Sequence, residues 1–192
     1  MLQRAVEGEQ AAFRELYDRY RQPIFRFAYR LLGSVEVAED ITHDCFLSLI
    51  RKPENFRPER GSLKTYLYAA ARNLAFKHFR TTGREAEMEQ VAEEPRESRR
   101  REPLRRLLDE ELAAQVREAL FRLPALQREV VILFEYEGLS LSEVAEIAGT
   151  DVGAIKSRLY RAREGLRRSL RPYLDGNQEL NSGREIVTLR EA

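Results

Sequence analysis

The chain has 192 residues, 33 Lys and Arg against 32 Asp and Glu, and a formal net charge of +1. That length holds one or two small domains, and no apolar run approaches the ~20 residues needed to cross a bilayer, so membrane insertion is not expected. A single Cys and two His residues exclude an internal disulfide and leave too few ligands for a convincing metal site. No G-x-G-x-x-G or Walker pattern is present to cradle a phosphate, and no cofactor is expected. Residues 1–9 carry no secretory h-region, and with the lone Cys45 this fits a reducing cytosol. Net charge near zero does not announce a nucleic-acid protein, but the charges are segregated, and local charge decides binding.

Gly8 to Leu32 reads as helix, with Phe13, Leu16, Tyr17, Tyr20, Ile24, Phe25, Phe27, Ala28, Leu31 and Leu32 as a wide apolar stripe. Pro23 predicts a break or kink, because it has no N–H to donate. Gly33 ends the segment and Ser34 caps the next. From Ser34 to Ile50, Ala38, Ile41, Cys45 and Leu49 share one side; Glu36, Glu39, Asp40, His43, Asp44 and Leu47 fall largely on the other. Such a face is either ordinary solvated surface or the contact for a partner distinct from DNA. His43 reads as a surface residue and Cys45 as core.

Arg51 to Ser62 reads as a loop, rich in the turn formers Pro53, Asn55, Pro58, Gly61 and Ser62. Leu63 to Arg80 returns to helix. Leu63, Leu67, Ala70 and Leu74 share its inward side, while Tyr66, Asn73, Lys77 and Arg80 fall within roughly 60° of one another on a neighbouring side. From Lys64 to Arg84 every charged residue is basic, and Tyr66, Tyr68, Phe76 and Phe79 are interleaved. Cations for phosphates and aromatics for base stacking are what single-stranded nucleic acid requires. The competing reading places these aromatics in the core, and for Phe79 it is preferred.

Residues 84–106 are dominated by Glu, Arg, Pro and Ser, and read as a flexible charged linker, helical in part at its end. Leu107 to Leu123 is helical, with Leu108, Leu112, Val116, Leu120 and Leu123 in register. Pro124 opens a further helix with apolar Val130, Val131, Leu133 and Phe134, reaching Gly138. Gly138 to Glu164 reads as a helix-turn-helix. Ser140 and Glu143 form an S-x-x-E capping box, and Val144, Ala145, Ile147 and Ala148 supply an apolar side. Gly149 makes the left-handed stop, Thr150 is the expected cap of the second helix, and Asp151 adds negative charge at its positive end. Ile155, Leu159, Ala162 and Leu166 face inward. Opposite lie Ser157, Tyr160, Arg161, Glu164 and Arg168, flanked by Lys156 and Arg163. A solvated amphipathic helix is the bland alternative, but a capped partner helix and Gly turn are the geometry that lays a second helix in the DNA major groove. The tail from residue 173 is expected to be mobile, with Ile186, Val187 and Leu189 as a short docking segment.

Several runs in this order resemble the extracytoplasmic function (ECF) group of bacterial RNA polymerase sigma factors. They are Phe13-Arg14-Glu15-Leu16-Tyr17-Asp18-Arg19-Tyr20, Ala38-Glu39-Asp40-Ile41-Thr42-His43-Asp44-Cys45-Phe46-Leu47 and Phe56-Arg57-Pro58-Glu59-Arg60-Gly61-Ser62-Leu63-Lys64-Thr65-Tyr66-Leu67. They continue with Ala71-Arg72-Asn73-Leu74-Ala75, Leu123-Pro124-Ala125-Leu126-Gln127-Arg128-Glu129-Val130 and the helix-turn-helix with Val152-Gly153-Ala154-Ile155-Lys156-Ser157-Arg158-Leu159. The resemblance spans about residues 11–170 apart from the linker. It implies an all-α fold of two small helical domains: residues 1–83 and, beyond the linker 84–106, a helix-turn-helix domain at 107–172, followed by the tail 173–192.

The resemblance also implies tasks. The acidic helix would dock on the coiled coil of the largest polymerase subunit through Glu39, Asp40, Asp44 and Leu47, and the flap of the second-largest subunit is a further expected contact. Phe56, Arg57, Arg60, Gly61, Ser62 and Tyr66 would capture unpaired bases of the −10 promoter element, with Asn73 near a flipped base and Lys77 and Arg80 on the backbone. Lys156, Ser157, Tyr160 and Arg161 would read the −35 element, with Arg158 and Arg163 as phosphate or packing residues. An anti-sigma protein is an expected inhibitor. Flipping a base costs a few kcal/mol of stacking, which a pocket with hydrogen bonds and an aromatic wall must return. Promoter opening is thus work done by binding energy, and no enzyme activity is expected. Departures from the family pattern are Tyr66 for a common Trp, Lys77 for a common acid, and His43-Asp44 where Gln and Glu are frequent. A conventional helix-turn-helix repressor would leave the basic-aromatic helix unused, and an enzyme acting on nucleic acid would need a carboxylate pair, metal cluster or nucleophile that does not stand out.

Overall fold

The computed structural model describes the backbone of residues 4, 9–83 and 103–188, and side chains within 4, 9–59, 61–83 and 111–173. Among these residues all regular structure is helical. The elements are α1 (Gln10–Leu32), α2 (Val35–Arg51), two short 3-10 turns (Pro53–Asn55 and Pro58–Arg60), α3 (Leu63–Thr82), α4 (Pro103–Phe121), α5 (Ala125–Val131), a wide π turn (Ile132–Tyr136), α6 (Leu141–Ala148) and α7 (Val152–Thr188). The all-α expectation holds. Of the expected linker, residues 84–102 lie outside the described residues, and 103–106 form the first turn of α4.

Helices α1, α2 and α3 pack together as one unit. Gly33 stops α1 with φ 81°, its N–H donating to Tyr29 O at 2.7 Å, and Ser34 Oγ caps α2 by accepting from Val37 N at 3.3 Å. The break expected at Pro23 does not occur, since α1 runs unbroken through it. Proline forfeits one backbone hydrogen bond to the carbonyl four residues earlier, here that of Arg19, whose side chain is exposed, while the following Ile24 is fully buried and holds the chain in place. Leu16, Ile24, Phe27, Leu31, Leu49 and Leu67 are fully or almost fully buried, each worth about 1.5–3 kcal/mol relative to exposure. Phe27 meets Tyr68 edge to face at 5.4 Å.

The inward side of α3 differs from the expected Leu63, Leu67, Ala70 and Leu74. Leu67 is buried, but its companions are Thr65, Tyr68, Ala71, Ala75 and Phe79; Leu63, Ala70 and Leu74 are half-buried. The alanines let α1 and α2 approach closely, an advantage that larger leucines do not share. Phe79 is core, as preferred, and so is Tyr68; Phe76 stacks edge-on against Phe79 at 5.7 Å beneath the Arg72 guanidinium.

The second unit is built from α4 to α7. Leu120, Leu123, Val130, Val131, Leu133, Val144, Ile147, Ile155, Leu159 and Ala162 form its interior. Leu112, expected inside, is exposed, and Val116 is half-buried. Helix α7 continues in backbone through Pro172, the expected end of the domain, as far as Thr188. Ile186 and Val187 thus belong to this helix by backbone alone; Leu189 lies outside the described residues.

The two units pack against each other through polar contacts. In the π turn the Glu137 N–H donates to Ile132 O at 3.0 Å, five residues back, and this extra width turns Glu135, Tyr136 and Glu137 outward. The Glu137 carboxylate accepts from Tyr68 Oη at 2.5 Å and from Arg30 at 3.3 Å, and Arg30 lies over the Tyr136 ring at 4.5 Å. Arg72 of α3 bonds Glu129 of α5. Arg128 reaches Leu31 O at the end of α1 at 2.7 Å.

Candidate nucleic-acid interface

Helix α2 presents the acidic face. Glu39, Asp40, His43 and Asp44 are exposed, Leu47 is half-buried beside them, and Ala38, Ile41, Cys45 and Leu49 point into the core. Burial pushes the Cys45 thiol up to about 12, with Asp44 adding to the effect. This fits the reading of Cys45 as core filler.

The loop and α3 form a second surface. Phe56, closing the first 3-10 turn, meets Tyr66 at 5.5 Å with ring planes at 69°, so the two aromatics make one half-buried wall. Burial raises the Tyr66 hydroxyl pKa. Ser62 Oγ caps α3 by accepting from Thr65 N at 3.1 Å, which fixes the start of the helix beside that wall. Arg57 and Ser62 are exposed and Gly61 is half-buried; the side chain of Arg60 lies outside the described residues. Further along, Asn73, Lys77 and Arg80 are exposed on one side. Of the aromatics first considered for stacking, only Tyr66 is placed at this surface; Tyr68, Phe76 and Phe79 are committed to packing.

The helix-turn-helix is the third surface. The capping box on α6 forms in full: Ser140 Oγ accepts from Glu143 N at 3.2 Å, and Glu143 Oε2 accepts from Ser140 N at 2.8 Å. The Ser140 hydroxyl also donates to Glu143 Oε2 at 2.7 Å, and this bond, followed by that from the Ser140 N–H, holds the Glu143 carboxyl below its ordinary pKa. Gly149 stops α6 at φ 64°, a conformation that a side chain would strain. The cap of α7 is Asp151 and not Thr150: Asp151 Oδ1 accepts from Ala154 N at 2.9 Å, while the Thr150 N–H is spent on Ala145 O at 3.0 Å, closing the turn. That cap lowers the Asp151 pKa. Ile155, Leu159 and Ala162 lock α7 from beneath. Above them Lys156, Ser157, Tyr160 and Arg161 are exposed, Tyr160 to 69%. Arg161 Nε donates to Ser157 O at 3.2 Å, which lays its guanidinium along the helix. Arg158 is turned inward with a buried nitrogen, and Arg163 pairs with Glu135 at 2.5 Å over the Phe134 ring. Both therefore stand apart from the outward four.

A pair of buried charges went unread in the sequence. Glu129 is fully buried, and burial raises its pKa against the opposing pull of Arg72 and then Arg158. Arg128 donates to Leu31 O, Phe121 O at 2.8 Å and Leu123 O at 3.1 Å, and burial draws its pKa down to about 10, so it stays charged at neutral pH. The available signal was spacing: Glu129 stands four residues from both Ala125 and Leu133, on the apolar side of α5. Among the described residues no group of His, Cys, Asp and Glu is placed to hold a metal, and no helix is long and apolar enough to cross a membrane.

Three charged or aromatic surfaces on two helical units, one of them a capped helix-turn-helix, define the class of the sigma-70 transcription factors. Sigma-70 region 2 matches residues 16–85 and Sigma-70 region 4 matches residues 113–166. The ECF sigma factor BldN of Streptomyces coelicolor is 33% identical over 178 residues; the match covers 88% of this chain and 64% of that longer protein. The ECF sigma factor SigW of Bacillus subtilis is 30% identical, over 88% of this chain and 95% of its own. The sigma factor RpoE of Bartonella quintana, solved in complex with the anti-sigma factor NepR, superposes with a TM-score of 0.68 at 28% identity, over 83% of this chain and 97% of that one. The chain belongs to the ECF group of RNA polymerase sigma factors.

Proposed function

We propose that the protein binds core RNA polymerase, brings it to promoters by reading a −35 and a −10 element, and opens the duplex by trapping unpaired bases. Residues 1–83 form the polymerase and −10 unit, and residues 107–172 the −35 unit. Glu39, Asp40, Asp44 and Leu47 meet the coiled coil of the largest subunit. Phe56, Arg57, Arg60, Gly61, Ser62, Tyr66 and Asn73 receive the separated strand, with Lys77 and Arg80 on its phosphates. Lys156, Ser157, Tyr160 and Arg161 enter the major groove upstream. The protein works in the cytoplasm, needs no cofactor, breaks no covalent bond, and is held in check by an anti-sigma protein, the kind of partner named for the Bartonella relative.

One observation carries this reading: the outward side of α7, a rigid helix capped by Asp151 and seated on Ile155 and Leu159, is basic and exposed. Phosphate contacts give affinity and orientation, and base-edge contacts give sequence. The test is reconstituted transcription with core polymerase over a promoter library. Promoter-specific initiation is expected, and the pair Asp40→Arg and Asp44→Arg should abolish it by weakening core binding while the helical content stays unchanged. Initiation by that variant at the wild-type level would overturn the docking assignment.

A further inference from the structure

The contact between the two units is not neutral packing. The helix-turn-helix unit brings carboxylates to it, and the −10 unit brings cations and hydroxyls. Glu137 receives Arg30 and Tyr68, and Glu129 receives Arg72. Lys64 Nζ reaches Glu137 O at 3.5 Å, and its positive charge helps hold Glu143 ionised. Helix α6 lies on α3, and Glu146 rests against the backbone of Gly61, so closely that a methyl group at that position would collide with its Oε1. A carboxylate thus sits beside the loop that ends in Ser62, one turn from the Phe56–Tyr66 wall. The faces on α2 and α7 remain open meanwhile: Asp40, Asp44, Lys156 and Tyr160 are all exposed.

We propose that this closed arrangement is a self-inhibited state, in which α6 of the helix-turn-helix unit, through Glu146, stands in for the phosphates of the −10 strand at the Gly61–Lys64 edge of the capture loop. The inference rests on the assignment of that loop to single-stranded DNA. Its chemistry is competition between anions. In the closed form Lys64 is met by the Glu137 carbonyl, within range of the Glu143 carboxylate, and the Gly61 backbone by the Glu146 carboxylate; in the open form both meet phosphodiesters. Because the polymerase and −35 faces stay free, the chain can dock on either partner while closed, and separation of the two units then uncovers the loop. An on-state therefore requires a partner that holds the units apart, and an anti-sigma protein would reinforce an off-state that the chain already has.

The test compares the full chain with Glu146→Lys, at an exposed position where folding is not at risk, and with Glu118→Lys, which makes the same charge change on α4 away from the contact. Small-angle scattering reports the separation of the units. Fluorescence anisotropy with a labelled 12-nucleotide random single strand reports loop access. Glu146→Lys should expand the molecule and tighten strand binding about tenfold, the factor expected if the closed form outnumbers the open roughly ten to one. Glu118→Lys should change neither. Expansion with unaltered strand affinity, or equal tightening by both variants, would overturn the proposal while leaving the loop assignment standing. Expansion with no strand binding by any of the three proteins would overturn the loop assignment and the proposal with it.

Discussion

Removing Arg72 while leaving Glu129 in place isolates the energetics of the interface between the two units. The Arg72 side chain is 16% exposed and that of Glu129 not at all, so Arg72→Met strands a carboxylate that water cannot reach. Breaking one partner of such a pair costs about 3–5 kcal/mol, far more than a surface ion pair is worth. Arg158 stays nearby and supplies part of the missing charge, which favours the lower end of that range. The double variant Arg72→Met with Glu129→Met carries no orphan and should recover to within about 1 kcal/mol of the wild type, as replacement of a buried pair by packed apolar groups commonly does. Urea denaturation followed by circular dichroism measures all three. The pH dependence is a second readout. Burial already raises the Glu129 pKa above the ordinary 4.5, and loss of Arg72 raises it further. The folded variant then binds more protons than the unfolded chain above pH 4.5, so its stability must fall as pH rises through that window. A single variant that loses less than about 1 kcal/mol at pH 7 and shows no such slope would refute the reasoning.

Three further outcomes follow from the helix-turn-helix and the core. Ser140→Ala removes the hydroxyl's two bonds to Glu143 while leaving the backbone N–H bond to its carboxylate, and should cost about 0.5–2 kcal/mol in thermal or urea unfolding. Because the Glu143 pKa is depressed, its share of wild-type stability is present above pH 4.5 and is lost as pH falls through the lower folded value; the variant should show a flatter acid limb. Lys156→Ala should cost about 1–3 kcal/mol of binding at the preferred −35 sequence and relax the preference there, whereas loss of a mere phosphate contact would weaken all sequences alike and lower the slope of log affinity against log salt by about 1. Cys45, buried and with its thiol raised to about 12, should react with a thiol reagent at pH 8 only as fast as the domain opens, so that sub-denaturing urea accelerates it.

Much of the architecture was legible because its signals are local. Ser34, Ser140 with Glu143, and the stops at Gly33 and Gly149 depend on the few residues around them, and the two sides of α2 were sorted by helical spacing alone. The errors arise where neighbours in space decide. Thr150 and Asp151 can both cap a helix; the choice fell to Asp151 because the helix starts at Val152, which puts Asp151 at the capping position with its Oδ1 in reach of Ala154 N. On α3, bulk pointed to Leu63 and Leu74, while close helix approach selected Ala71 and Ala75. Glu129 and Arg128 were hidden for a related reason. A charged side chain enters a core only when its partner comes from a distant segment, and Arg72 and Leu31 O are such partners. For the candidate surfaces, the sequence supplied the residues, and the fold added which are turned away: Arg158 inward, Arg163 onto Glu135, Tyr68 onto Glu137.

The wide turn at Ile132–Tyr136 behaves as a single-residue insertion in an otherwise ordinary helix. Deleting one residue there would let the chain relax into regular α geometry and rotate everything after it by about 100°, swinging Glu137 away from Arg30 and Tyr68. Whether the two halves recognise each other is therefore set by length at one spot as much as by charge. Because α7 also packs on α4 and α5, a shortened chain would have to re-seat the helix-turn-helix on its own core as well as give up the contact with α1 and α3.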